Sequence, residues 1–333
     1  MSHGKLIVSL SPHVSSPDHV RRIMLDVVLA LLPAALWSVY LFGFQAVRVI
    51  FVSVAACVIC EYCIQRFLLK VPSSVDDGAA VVTGLLLAFN LPSNIPNWMI
   101  VVGGFVAIAI AKMTFGGIGN NPFNPALVGR VFMLISFPVA MTSWPVPLAN
   151  RGQMIDAVTA ATPLSIAKEG LKNGIASDQL MASLPNYWDL LIGQRGGCLG
   201  EVSVLLLSLG GLYLLYRKVI QLEIPLAVIS SVFIFSGILW MVNPQTNMSP
   251  LFHILTGGIF LGAIFMATDM VTSPMTPAGM IIFGIAIGIL TVVIRVFGAY
   301  PEGMSFAILI MNAFVPLIDR FTKPQKYGKL KHG

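Results

Sequence analysis

Residues 224–268 run for 45 positions without an Asp, Glu, Lys or Arg, and residues 78–111 do the same for 34. Stretches of that length fix the solvent before they fix the fold. A soluble globule needs a charged shell, yet the 333 residues hold only 20 Lys and Arg and 14 Asp and Glu, about 10% charged against about 25% in soluble proteins. The chain is therefore read as an integral membrane protein. Most of its basic residues flank apolar runs, as positive-inside anchors do, so the net charge of +6 is no nucleic-acid signature.

A span needs roughly 17–25 mostly apolar residues. The sequence offers ten stretches, some short: 23–41, 47–65, 79–91, 97–114, 123–142, 200–216, 223–241, 251–268, 278–296 and 303–319. The third stops at Asn90-Leu91-Pro92, too early to cross alone. Residues 112–125 place Gly, Asn and Pro (Gly116-Gly117, Gly119-Asn120-Asn121-Pro122) where the chain should be at membrane depth. Broken backbone survives there only where protein or water satisfies it, and such breaks mark binding sites between helices.

Val82-Thr83-Gly84-Leu85 is echoed by Leu255-Thr256-Gly257-Gly258, and Phe115-Gly116-Gly117 by Phe297-Gly298-Ala299. This predicts an all-α membrane fold of about ten transmembrane helices arranged as two five-helix repeats. Five is odd, so the second repeat enters from the opposite side and the repeat is inverted. The expected division is 1–142 (first repeat), 143–199 (an outward loop) and 200–333 (second repeat and basic tail). With the N-terminus inside, thirteen Lys and Arg fall in cytoplasmic segments, while the short outer loops hold Arg48 and Arg295. Both termini are therefore expected in the cytoplasm. Loops as long as 143–199 are usually functional or disordered, and function is the expectation here.

Soluble catalytic signatures (HExxH, a P-loop, GxSxG) are absent, and His253 is the sole histidine placed in a span, which excludes a bis-histidine haem. No catalytic residue and no metal ligand is assigned. Cys57, Cys60 and Cys63 have an iron–sulfur spacing, but they stand inside an apolar helical run and are read as small buried side chains. Gly193–Glu201 superficially looks like a phosphate cradle and is read as a tightly packed helix entry, with Glu201 favoured by the helix dipole. Among intramembrane charges, Asp26 and Arg295 lie near span ends. Glu61 and Arg130 lie deeper, either as a structural pair or beside an ion path.

The most informative segment is Asp156-Ala157-Val158-Thr159-Ala160-Ala161-Thr162-Pro163. By local rules it is a turn ahead of a helix, with Thr162 as N-cap and Pro163 as first residue. It also resembles the D-x-x-[ST]-[GA]-A-T motif at which a flavin transferase esterifies FMN to the last threonine. Ser11-Pro12-His13, Arg22-Ile23-Met24, the Thr83-Gly84 helix, Gly119–Ala126, Gly200-Glu201-Val202-Ser203 and Phe265–Asp269 extend the resemblance along nearly the whole chain. The family is RnfD/NqrB, of ion-pumping redox complexes, and the absence of a longer N-terminal extension makes the RnfD branch the nearer match. Thr159 and Ala160 stand where Ser and Gly are common.

The resemblance implies a covalent FMN on Thr162, with Asp156 and Thr159 as motif neighbours, and a non-covalent riboflavin within the membrane near Asn121, Asn124, Asp269 and Thr272. An amide pair matches the donor and acceptor edge of a flavin, and an intramembrane Asp is a functional-site hypothesis by default. It further implies an electron-transfer subunit of a Na+- or H+-pumping ferredoxin:NAD oxidoreductase in a bacterial or archaeal cytoplasmic membrane. Expected partners are the other members of an Rnf complex (the flavoprotein G and the iron–sulfur components A/E, B and C), a flavin transferase and membrane lipid. Two rivals stay open. One is a urea-type channel, which would need no outward flavinylation loop; the other is a quinone-reducing subunit of the NqrB type.

Overall fold

The computed structural model describes residues 20–145, 147, 159–193, 195–201 and 203–323. Ser11–His13, Asp156 and Val202 lie outside them. Six helical segments are long and apolar enough to cross a membrane: Val20–Phe42, Phe44–Leu69, Asn97–Phe115, Glu223–Val242, Pro277–Phe297 and Met304–Phe321. They comprise α1 (Val20–Phe42), α2 (Phe44–Cys63, continued by a wider π turn Ile64–Leu69), α4 (Asn97–Phe105, likewise continued to Ile110), α11 (Glu223–Val242), α14 (Pro277–Phe297) and α15 (Met304–Phe321). Three shorter apolar helices are α3 (Ala79–Phe89), α5 (Pro125–Ser136) and α10 (Val204–Tyr216). Large apolar side chains such as Phe44, Phe51, Leu68 and Met241 stand on the outside, where lipid makes their exposure costless. The protein is a multi-pass, predominantly helical membrane protein.

The segment between the two groups of apolar helices folds as short helices α7 (Pro163–Lys172), α8 (Ser177–Ser183) and α9 (Tyr187–Ile192), after the four-residue α6 (Pro138–Met141). Of these, α9 has no strong signal in the sequence, being a single short turn of Tyr-Trp-Asp-Leu-Leu-Ile. Two-residue strands β1 (Trp144–Pro145) and β2 (Thr159–Ala160) pair antiparallel and form the sole β structure among the described residues. They bring the end of α6 beside the residues that lead into α7.

Three expected spans change. Residues 123–142 form α5 and the short α6, interrupted at Phe137. Residues 251–268 are not one helix: α12 (Pro250–Leu255) and α13 (Ile259–Leu261, continued to Met266) are separated at Thr256-Gly257-Gly258. Gly257 has φ +69°, and a Cβ there would strike the Arg295 guanidinium, so a larger residue is excluded twice over. The span expected from residue 200 begins at Val204, where the Ser203 hydroxyl caps α10 by accepting from Leu206 N at 3.3 Å. The paired Thr-Gly motifs also differ locally. Gly84 is mid-helix in α3, pressed against α2, whereas Gly257 makes a break.

Arginines satisfy the carbonyls freed at both breaks. After α3, Arg48 Nη2 donates to Ser93 O at 3.0 Å and Ile95 O at 2.8 Å. After α12, Arg295 donates to His253 O at 2.7 Å and Thr256 O at 3.0 Å, and Arg195 donates to Leu255 O at 2.6 Å. This is the internal compensation that irregular backbone needs where water is excluded.

Candidate functional site

Between α1, α3, residues 112–126 and residues 264–271 lies a cavity of about 360 Å³. Its walls are mostly apolar (Ile23, Met24, Leu86, Ile264, Phe265), and its polar groups are Thr83, Lys112, Asn121, Asn124, Thr268 and Asp269. A few convergent polar groups in an apolar pocket of this size suit a flat organic ligand. Ile118 and Gly119 of the wall belong to a glycine loop: Gly116, Gly117 and Gly119 all have φ near +90° to +105°, which explains why this stretch carries glycine where a membrane helix would be expected.

Of the four residues expected from sequence at a flavin edge, three line this cavity. Asn121 spends one amide N–H on Phe123 O at 3.1 Å. Asn124 is more committed. Its Oδ1 caps α5 by accepting from Ala126 N at 3.1 Å and Leu127 N at 3.3 Å, and its Nδ2 donates across to Met266 O at 3.2 Å. Asn312 of α15, its amide turned to satisfy its neighbours, accepts from Asn124 N and donates to Thr272 O. The two halves are thus stitched together behind the cavity. Asp269 faces the cavity and accepts from Val271 N at 3.4 Å and from the Thr272 hydroxyl at 3.2 Å. Thr272 stands behind Asp269 and orients it.

Lys112 is a member of this wall that charge counting along the sequence places only among cytoplasmic anchors. Its ammonium meets both carboxylate oxygens of Glu61, at 3.0 and 2.7 Å, with the two side chains 3% and 0% exposed. Gln65 Nε2 donates to the same carboxylate at 3.3 Å and to the Ser74 hydroxyl at 2.8 Å. Glu61 therefore pairs with Lys112, not with Arg130. The signal in the sequence was the isolation of both charges in otherwise uncharged runs, since neither can be buried alone.

Arg130 instead centres a second polar cluster. It pairs with Glu302, lies 3.8 Å from Glu201, and donates to Asn90 Oδ1 at 2.7 Å and Ser305 Oγ at 2.6 Å. Residues 195–201 plug into the helices here: Gly200 N donates to Phe89 O at 2.8 Å and Leu199 N to Leu91 O at 3.2 Å. Any Cβ on Gly200 would collide with Phe89, so the glycine run is the packed entry that the sequence suggested. Glu201, just ahead of the Val204 start of α10, also faces Arg130. Cys198, Glu201 and Glu302 bring donor atoms within 4.8 Å of one another. Arg130 and Arg195 already supply the positive charge that a cation would bring. Asp26 pairs with Arg217 at 3.0 Å and accepts from Tyr213 at 2.9 Å.

Thr162 caps α7 as its Thr-Pro sequence dictates: Oγ1 accepts from Ser165 N at 3.2 Å and stands 3.0 Å from Ser165 Oγ. The residue is 5% exposed. Thr159 enters through the β1–β2 ladder, and Asp156 is outside the described residues. On the same helix, burial and the neighbouring Lys172 push the Lys168 ammonium below its ordinary pKa. It donates to Gly298 O at 2.6 Å and Tyr300 O at 2.9 Å, anchoring α7 to the α14–α15 connection. Cys57, Cys60 and Cys63 lie on α2 as expected, but Cys57 alone is buried and Cys63 is exposed.

Comparison with known proteins covers almost the whole chain. A family model described as the NQR2, RnfD, RnfE family matches residues 7–328. Over 325 residues the sequence is 46% identical to the D subunit of the proton-translocating ferredoxin:NAD(+) oxidoreductase complex of Clostridium ljungdahlii, covering 96% of each chain. It is 45% identical to the D subunit of the Na(+)-translocating ferredoxin:NAD(+) oxidoreductase complex of Acetobacterium woodii, covering 99% of this chain and 98% of that one. It is 41% identical to the D subunit of the ion-translocating oxidoreductase complex of Stutzerimonas stutzeri, covering 94% of each.

Proposed function

The chain belongs to the NQR2, RnfD, RnfE family, and from that premise we propose that it is the flavin-bearing electron-transfer subunit of a redox-driven, ion-translocating ferredoxin:NAD oxidoreductase. It carries FMN esterified to Thr162 on the outer side and a non-covalent riboflavin in the cavity of Asn121, Asn124 and Asp269. Both termini are cytoplasmic, and the two halves are inverted repeats. The relatives named for protons and for Na+ are 46% and 45% identical, so overall similarity does not select the ion.

The observation that carries this reading is the convergence of Asn121, Asn124, Asp269 and Lys112 on one apolar cavity of about 360 Å³. The groups fit the ring's polar edge. Asn121 keeps an amide oxygen free of any described hydrogen bond, Asp269 and Thr83 add acceptor and hydroxyl, and the Lys112 ammonium can donate beyond Glu61. At Thr162 the chemistry of the donor set also fits. A phosphate ester there would sit at the N-terminus of α7, against Ser165 N–H and hydroxyl, where free N–H groups and the helix dipole favour negative charge. The flavins, when bound, supply the one- and two-electron chemistry, and the chain supplies distance, insulation and charge. Among the described residues no general base stands beside the Thr162 hydroxyl, so attachment needs the external transferase.

The test is attachment. Co-expressed with a flavin transferase, the wild type should gain the mass of one FMN less water and keep ultraviolet fluorescence on a denaturing gel. Thr162→Ala should lose both and also about 1 kcal/mol of cap, while Thr162→Ser keeps the cap. Fluorescence persisting in Thr162→Ala would overturn the assignment.

A further inference from the structure

The short helix α9 has two unlike sides. Leu190 is fully buried, in one small core with Leu164 and Ala167 of α7 and Phe252 of α12, and the Tyr187 hydroxyl meets Ser249 Oγ at 2.9 Å. Trp188 and Ile192, spaced to share the opposite side of the helix, stand open: Trp188 is 72% exposed and Ile192 is exposed as well. An open apolar face of this kind marks a contact with another protein or with a membrane. Here it continues onto a membrane span. Trp37 of α1 donates its indole N–H to Ile192 O at 3.0 Å and stacks on Tyr40 with ring centroids 5.1 Å apart. Leu36 and Tyr40 are exposed on the same turns of α1, where lipid covers the helix.

Tryptophans gather at this end of the molecule. α1 closes here and α2 opens directly after it. Arg48 of α2 holds the carbonyls of Ser93 and Ile95 just ahead of α4, which brings Trp98 to the same end. Ser177 N donates to Gln245 O just past α11, which brings Trp240 here too. Four of the five tryptophans in the chain (Trp37, Trp98, Trp188 and Trp240) therefore stand at least partly exposed at one end of the helices. Such rings collect at the level of the lipid headgroups, where the ring meets hydrocarbon and the N–H meets water. We propose that the Trp188–Ile192 face of α9 is seated in the boundary between phospholipid headgroups and acyl chains, completing a belt with Trp37, Trp98 and Trp240. The partner is the phospholipid surface itself. Through Leu190 and the core it shares with Leu164 and Ala167, α9 then fixes the height of α7 against the membrane. The belt is set by the ends of the helices, so the seat holds whichever side of the bilayer this end meets.

The experiment uses the full complex in its native membrane, with p-benzoylphenylalanine placed at Trp188 or, as a water-facing control, at Asn173 in the turn that ends α7. Both side chains are exposed, so neither change threatens folding. After irradiation and delipidation, the mass of the intact chain reads the adduct. Position 188 should gain the mass of one phospholipid several-fold more often than position 173. In nanodiscs, the tryptophan emission lost in Trp188→Phe should be quenched several-fold more by bromines near the glycerol end of the acyl chains than by bromines at their methyl end, since an interfacial helix lies about 5–10 Å deep. Absence of a lipid adduct at position 188 would overturn the seat: capture of another subunit would assign this face to a protein, and quenching by aqueous iodide would leave it in water. Equal lipid adducts at 188 and 173 would also overturn it, because the contact would not belong to this face.

Discussion

Lys112→Met isolates the energetics of the larger cavity. The Lys112–Glu61 pair is buried on both sides, 3% and 0% exposed, with oxygen distances of 3.0 and 2.7 Å. Removing the ammonium leaves the carboxylate with Gln65 Nε2 at 3.3 Å as its remaining described side-chain donor. Breaking a buried pair from one side costs about 3–5 kcal/mol, because a charge stays behind without compensation. Removing both charges together (Lys112→Met with Glu61→Gln) should cost far less, within about 1–2 kcal/mol of wild type, since a neutral amide beside Gln65 can be satisfied locally. Unfolding free energies in mixed micelles, measured for the four members of the cycle, give the coupling directly. A Lys112→Met loss no larger than that of the double variant would refute the argument. The double variant also separates two roles of Lys112, because it restores the fold while leaving the cavity without its cation. If its stability returns and acid-extracted riboflavin still falls, Lys112 serves the ligand as well as Glu61.

Asn124→Leu removes a cap and the bond to Met266 O together and should cost about 2–4 kcal/mol, read as a lower denaturation midpoint. Asn121→Leu touches one local bond and should lower acid-extracted riboflavin about tenfold or more with little loss of stability; equal losses of flavin and fold in both variants would contradict this division. Gly84→Ala puts a methyl 2.7 Å from Val54 Cα. Prising α2 from α3 should cost about 1–3 kcal/mol, and a neutral result by thermal denaturation would show that the contact is looser. Cysteine at position 175, where Ile175 is exposed, should react with an impermeant reagent from outside, and cysteine at 328 only after permeabilisation; labelling of both from one side would overturn the proposed topology.

The sequence alone determined the solvent and most of the elements. Uncharged runs located α1, α11, α14 and α15 to within a few residues, because a bilayer fixes both the length of a span and its composition. Thr162-Pro163 announced the start of α7, because capping depends on residues three positions apart. Only the tertiary structure decided who pairs with whom: Glu61 with Lys112, 51 positions away, and Arg130 with Glu302, 172 positions away. It also decided that residues 251–268 break at Gly257, where the Arg295 guanidinium fills the space of a Cβ and binds the freed carbonyls. Hydropathy says that a buried charge needs a partner and a broken helix needs donors. Which group answers depends on side chains brought together by packing, and no periodicity along the chain encodes that distance.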